Sequence, residues 1–128
     1  MIYKESNFYL SIIIGLIFFT YIVGMDVVNF SNIFWLIDCP IICDAQQHLL
    51  GWLFFRETDI LQFPFLKNTS FGLYTGSSLI YTDSLPIFAI IFKFFNSFLD
   101  FEFQYFGLWI LISFSLQAII ADRVLKIY

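Results

Sequence analysis

The sequence predicts an all-α integral membrane fold, with about three transmembrane helices and a long extracytoplasmic loop that contains juxtamembrane helices. Three observations carry that prediction. Hydrophobic residues make up 60% of the 128-residue chain and charged residues only 12%, against about 45–50% and about 25% in soluble domains. Two runs, one near each end, are free of charge over the length needed to cross a hydrocarbon core about 30 Å thick. The scarce charge gathers between them, with five of the ten acidic residues at Asp26, Asp38, Asp44, Glu57 and Asp59. Six basic residues and a net charge of −4 provide no cationic footprint, so membrane lipid and not nucleic acid is the expected partner. The same composition excludes a disordered chain, a collagen-like repeat and a disulfide-rich secreted scaffold.

The first predicted span covers residues 6–25, uncharged between Glu5 and Asp26. From Phe8 onward it is polar only at Ser11 and Thr20. The run is too long for the apolar region of a secretory signal, and no small-x-small cleavage site follows Val23. The last predicted span covers 103–121, uncharged between Glu102 and Asp122. Within it Ser113 and Gln117 stand four apart, on one helical face. That face is expected to pack against protein, because polar groups in hydrocarbon need partners.

A middle span is predicted over 84–102. Asp83 and Ser84 suit an N-cap and Pro86 suits the first turn. Leu85 to Phe92 is apolar, but Lys93 interrupts. The 16 residues of its body, 84–99, would reach only about 24 Å as a helix, so the stretch also reads as a re-entrant or interfacial helix.

The loop 26–83 is where chemistry is expected. Loops beyond about 12–15 residues are usually functional or disordered, and this one is too apolar for disorder. It reads as compact structure at the membrane surface, with Trp35 and Trp52 as interfacial aromatics. Lys4 before the first span and the two bases among the loop's acids give the positive-inside rule little to count. The expectation is a cytoplasmic N-terminus and an outside loop, which sets the basic tail of Arg123 and Lys126 outside against the rule.

Within the loop, Asp44-Ala-Gln-Gln-His-Leu-Leu-Gly-Trp-Leu-Phe-Phe-Arg56 predicts a helix beginning near Ala45, with Asp44 and Gln47 spaced as a capping box. Asp44, Gln47 and His48 then gather at its N-terminal end, beside Gly51. A carboxylate, an amide and an imidazole together suit a general base or a metal ligand. They equally suit a helix cap beside an interfacial histidine. Arg56 complements the helix C-terminus or clamps a phosphate. Cys39 and Cys43 form a C-x3-C pair whose spacing favours free thiols, with a disulfide and a metal site as alternatives.

A second stretch, Gly76-Ser-Ser-Leu-Ile-Tyr-Thr-Asp-Ser-Leu-Pro86, sets Asp83 at the mouth of the middle span. It reads as a turn and cap, or as an anion site at a helix N-terminus. Asn29-Phe-Ser31 and Asn68-Thr-Ser70 match the glycosylation acceptor pattern, a short match that arises often by chance.

These two stretches, with the later Phe103-Gln-Tyr-Phe-Gly-Leu-Trp109, resemble the N-terminal part of a family of bacterial multi-pass membrane proteins of uncharacterised function. The resemblance runs from about Asp44 to the end of the chain, with three motifs in order. That family is similar in layout to the GT-C class of membrane glycosyltransferases, which have a first span, a long extracytoplasmic loop with an acidic residue near its start, and many further spans. The resemblance implies a polyprenyl-phosphate-linked sugar as donor and a multi-pass location in the bacterial inner membrane. It implies that Asp44 is the catalytic base or a contact for a divalent cation. His48, Arg56 and Asp83 fall within the motifs as candidate substrate-binding residues. GT-C enzymes are several times longer, and Asp44 is followed by Ala45 where many carry an acidic pair. The chain is therefore expected to be an N-terminal fragment, inactive alone.

Two further readings stand beside the enzymatic one. One is a small non-catalytic membrane subunit or remnant, with Asp44 as a helix cap. The other is a transporter fragment, motivated by Lys93 inside a short span.

Overall fold

The computed structural model describes residues 8–38, 43–72 and 75–127. They are mostly helical and fall into two compact units, one of residues up to Asn32 together with those from Gln104, the other Ile33–Phe103.

The first unit is an antiparallel helix pair. Helix α1 (Phe8–Ile22) turns Ser11, Gly15 and Phe19 inward, one stripe at i, i+4 and i+8. A Cβ on Gly15 would stand 2.9 Å from the Phe114 carbonyl oxygen and from the Ser115 Cα, so the helices meet backbone to backbone there. Phe19 packs edge-on against Phe114, ring centroids 5.8 Å apart. Gly24, at φ +92°, ends α1 in the left-handed conformation that glycine adopts without a Cβ penalty, its N–H bonded to the Phe19 carbonyl. The partner helix runs Phe106–Ile127, and at 22 residues it is long and apolar enough to cross a membrane. The described part of α1, at fifteen residues, is apolar but shorter.

Hydroxyls in this unit satisfy themselves. Thr20, Ser113 and Ser115 donate to the carbonyls of Leu16, Trp109 and Leu111, each four residues back. The sequence reading that sets Ser113 and Gln117 against protein is corrected here. Gln117 is exposed, Ser113 bonds within its own helix, and Phe114 and Ser115 face α1.

The second unit is built around α3 (Asp44–Arg56), preceded by the short α2 (Phe34–Ile37). Leu49, Trp52 and Phe55 of α3 are buried with Leu36, Leu79, Ala89 and Phe103. Trp52, expected at an interface, is fully buried, and its indole N–H donates to the Phe103 carbonyl at 2.9 Å. A two-residue antiparallel ladder pairs β1 (Lys67–Asn68) with β2 (Ser77–Ser78). A 3-10 turn, Leu79–Thr82, follows and leads to α4 (Pro86–Phe94).

The middle span also needs correction. Where the sequence suggests a span over 84–102, α4 has nine residues, about 13.5 Å at 1.5 Å per residue, and a second 3-10 turn, Asn96–Phe98, follows it. The chain leaves the helical path because the carbonyls of Leu99, Asp100 and Phe101 accept from Arg56. The α5 segment of the first unit (Phe106–Ile127) begins five residues after Phe101.

Candidate functional site

Helix α3 presents its first turns to the segment Leu79–Ser84. The Gln47 amide donates to the Tyr81 carbonyl at 3.1 Å. His48 Nδ1 lies 2.8 Å from the Thr82 carbonyl oxygen; that oxygen only accepts, so Nδ1 carries a proton. The Ser84 hydroxyl donates to the His48 carbonyl at 2.7 Å and lies 2.8 Å from Thr82 Oγ1. Thr82 Oγ1 in turn donates to Leu79 at 2.8 Å. Gly51 makes this approach feasible, since a Cβ there would overlap both hydroxyls. On the next turn the Asn68 amide, fully buried, donates to the Gly51 carbonyl at 3.0 Å.

The predicted capping arrangements are replaced. Asp44 is the first residue of α3, the N-cap is Cys43, and no side chain caps the end. With Cys43 as N-cap, Gln47 stands one residue beyond the capping-box position, and its amide reaches Tyr81. At α4, Pro86 does occupy the first turn, but the N-cap is Leu85 at φ 50°, and Ser84 is engaged with His48. Cys43 is disulfide-bonded, not the free thiol that spacing favours; Cys39 lies outside the described residues. The Asn68 acceptor match is a buried structural amide, and Asn29 closes a local turn by accepting from the Ser31 N–H.

Of the four predicted site residues, two are exposed and two are engaged. The carboxylates of Asp44 and Asp83 are exposed, and Asp83 sits at φ 49°, where the 3-10 turn ends. Asp44, His48 and Asp83 come from the two segments that the Gln47 and His48 bonds hold together. Among the described residues, no group of three His, Cys, Asp or Glu gathers to hold a metal ion.

Arg56 departs furthest from its expected role. It is buried at 6% exposure. Its Nε donates to Asn96 Oδ1 at 2.6 Å, Nη1 to Asp100 and Phe101, and Nη2 to Leu99. Asn96 returns an amide bond to the Arg56 carbonyl at 3.1 Å. The guanidinium carbon stands 5.4 Å from the Trp52 ring centroid. Burial lowers the guanidinium below its ordinary value, opposed by the charges of Glu57 and Asp100. Arginine still stays charged. The fork that would suit a phosphate instead brackets four backbone and side-chain oxygens.

A family model, described as a domain of unknown function (DUF6311), matches residues 12–128. The chain belongs to that family. No curated protein and no solved structure matches it. The match spans the second compact unit and most of the first.

Sequence reasoning overlooked three anchoring groups. Gln104 donates to the carbonyls of Val27 and Asn29, both at 2.8 Å, and accepts from the Gly107 N–H. Thr58 and Asn68 are the others. A glutamine followed three residues later by glycine at a helix start was the legible signal for Gln104. Nothing local marks Thr58 or Asn68.

Proposed function

We propose that this chain is the N-terminal membrane section of a GT-C-like glycosyltransferase that uses a polyprenyl-phosphate-linked sugar donor. It is integral to the bacterial inner membrane and multi-pass. Helices α1 and α5 are spans, and residues 33–103 form the extracytoplasmic module. The observation that carries the reading is Asp44: an exposed carboxylate at the start of a helix whose first turns are pinned by Gln47, His48 and Ser84. A general base needs this combination of an accessible group on a fixed frame.

In the transfer, Asp44 takes the proton of the acceptor hydroxyl. The freed oxygen attacks the anomeric carbon, and the bond from that carbon to the lipid phosphate breaks, the phosphate leaving with the electron pair. Asp83 lies on the adjoining loop and orients acceptor hydroxyls. Arg56 holds the frame and His48 sets its register.

The test is Asp44→Asn in the intact native protein, assayed in inner-membrane vesicles for sugar transfer from a labelled polyprenyl-phosphate sugar. Loss of a general base costs about 100-fold or more. Undiminished transfer ends the proposal. A second reading, a non-catalytic membrane subunit, is favoured by the engagement of His48, Arg56 and Lys93 in internal bonds. It expects Asp44→Asn to be silent and a stable hetero-complex to survive detergent extraction.

A further inference from the structure

Helix α4 is amphipathic in the inverted sense. Its single charged side chain, Lys93, is 4% exposed and lies on the buried face with Ala89. The Lys93 amine bonds the Thr58 hydroxyl and donates to the Asp59 carbonyl at 3.0 Å, over the Phe55 ring at 4.0 Å. The opposite face, at 100° per residue, is Ile87, Ile91 and Phe94, all exposed, Ile87 at 74%. A helix bordered by water carries its charge outward and its isoleucines inward.

The segment after α3 repeats the inversion. Gln62 turns inward and donates to Thr58 Oγ1, to the Phe65 carbonyl and to the Lys67 carbonyl. Its neighbours Leu61 and Phe63 point out, each at 96% exposure. One hydroxyl joins the two segments: Thr58 Oγ1 accepts from both Lys93 and Gln62 and donates to the Phe55 carbonyl, which saturates it. Lys93 and Gln62 thus meet at one half-buried hydroxyl while the apolar side chains of Ile87, Ile91, Leu61 and Phe63 are exposed. The exposed phenylalanines continue along the chain to Phe98 and Phe101. From Phe101, covalent reach to the first residue of α5 is at most about 18 Å.

We propose that Leu61 and Phe63, with the outward face of α4, form one lipid-docking surface that seats residues 33–103 in the headgroup–acyl boundary of the bilayer that α5 crosses. The occupant is phospholipid. The continuity of the apolar segment with the membrane-length helix argues for it, as does the removal of the helix's only charge to the interior. Burial of amphipathic faces to about 5–10 Å is the geometry of in-plane anchors. This proposal rests on the membrane reading above and assigns to α4 a surface role where its length denies it a spanning one.

The experiment places one nitroxide spin label at a time on the full chain in phosphatidylethanolamine–phosphatidylglycerol vesicles, through Leu61→Cys, Phe63→Cys, Ile91→Cys, Asp59→Cys or Leu116→Cys. The native Cys43 is disulfide-bonded and takes no thiol label. Collision with oxygen is compared with collision with a water-soluble nickel chelate. The proposal expects an oxygen-to-nickel ratio several-fold higher at Leu61, Phe63 and Ile91 than at the exposed Asp59. Leu116, exposed on α5, reports on the span. Aqueous labels at 61, 63 and 91 with a lipid-exposed label at 116 overturn the docking surface alone. Aqueous labels at all four overturn the membrane reading with it. Low access to both quenchers at 61, 63 and 91 assigns the surface to another protein segment and equally overturns the proposal.

Discussion

A methyl group at position 51 would overlap Thr82 Oγ1 and Ser84 Oγ, of which Ser84 Oγ ties the Leu79–Ser84 segment to α3 through the His48 carbonyl and Thr82 Oγ1 bonds Ser84 Oγ. Gly51→Ala therefore forces that segment away from His48, at a cost of about 1–3 kcal/mol for overpacking. Thermal unfolding in detergent reads that loss. Where Asp44 is the base, Gly51→Ala also lowers transfer, because the frame and the carboxylate move together. The neighbouring motif was well suited to sequence reading: the stretch predicted as a helix to Arg56 is helical over Asp44–Arg56, because its apolar residues and flanking charges act locally. The roles of its polar residues were not legible. His48 and Gln47 find partners 34 residues away, a separation that no local pattern encodes.

At the scale of elements, α4 shows why hydropathy alone misleads. Apolar residues on an outward face and a lysine turned inward give the same average as an interrupted span. The buried amine has a pKa lowered by desolvation, opposed by Asp59. Between that lowered folded value and the ordinary lysine value of about 10.4, the unfolded chain binds more protons than the folded one. Stability should then rise with pH through this window. Lys93→Met, which keeps the volume and removes the titration, should flatten that rise in denaturant midpoints. An unaltered slope would place the titration elsewhere. The bracket after α4 is tested by Arg56→Lys. A lysine has one ammonium where the guanidinium spans Asn96, Leu99, Asp100 and Phe101. Losing charged hydrogen bonds costs about 1.5–3 kcal/mol each, so the variant should unfold at markedly lower denaturant while α3 itself stays helical by circular dichroism.

For the whole molecule, charge placement pointed to a loop over 26–83 within one membrane domain, whereas the compact unit is Ile33–Phe103 and takes in the stretch expected as the middle span. The clasp that closes the helix pair was not visible, because it depends on a contact across 77 residues. Gln104 bonds Val27 and Asn29 through its side chain and Phe30 through its backbone N–H at 2.8 Å, and Gly107 leaves no room for a Cβ beside Val27. Gln104→Leu keeps the backbone bond to Phe30 but removes the side-chain donor to the Val27 and Asn29 carbonyls, and should lower stability by about 1–3 kcal/mol, read as a lower melting temperature. The clasp also has an architectural consequence. Its strands of chain, Phe30 and Gln104, flank the whole of 33–103, so the two ends of that module leave and return at one hydrogen-bonded point. Topologically the module is an insertion into a helical hairpin. A hairpin closed at its own neck tolerates cargo of varied length and sequence. A change of length within 33–103 should therefore leave the bond from the Gln104 N–H to the Phe30 carbonyl, at the neck of this hairpin, intact.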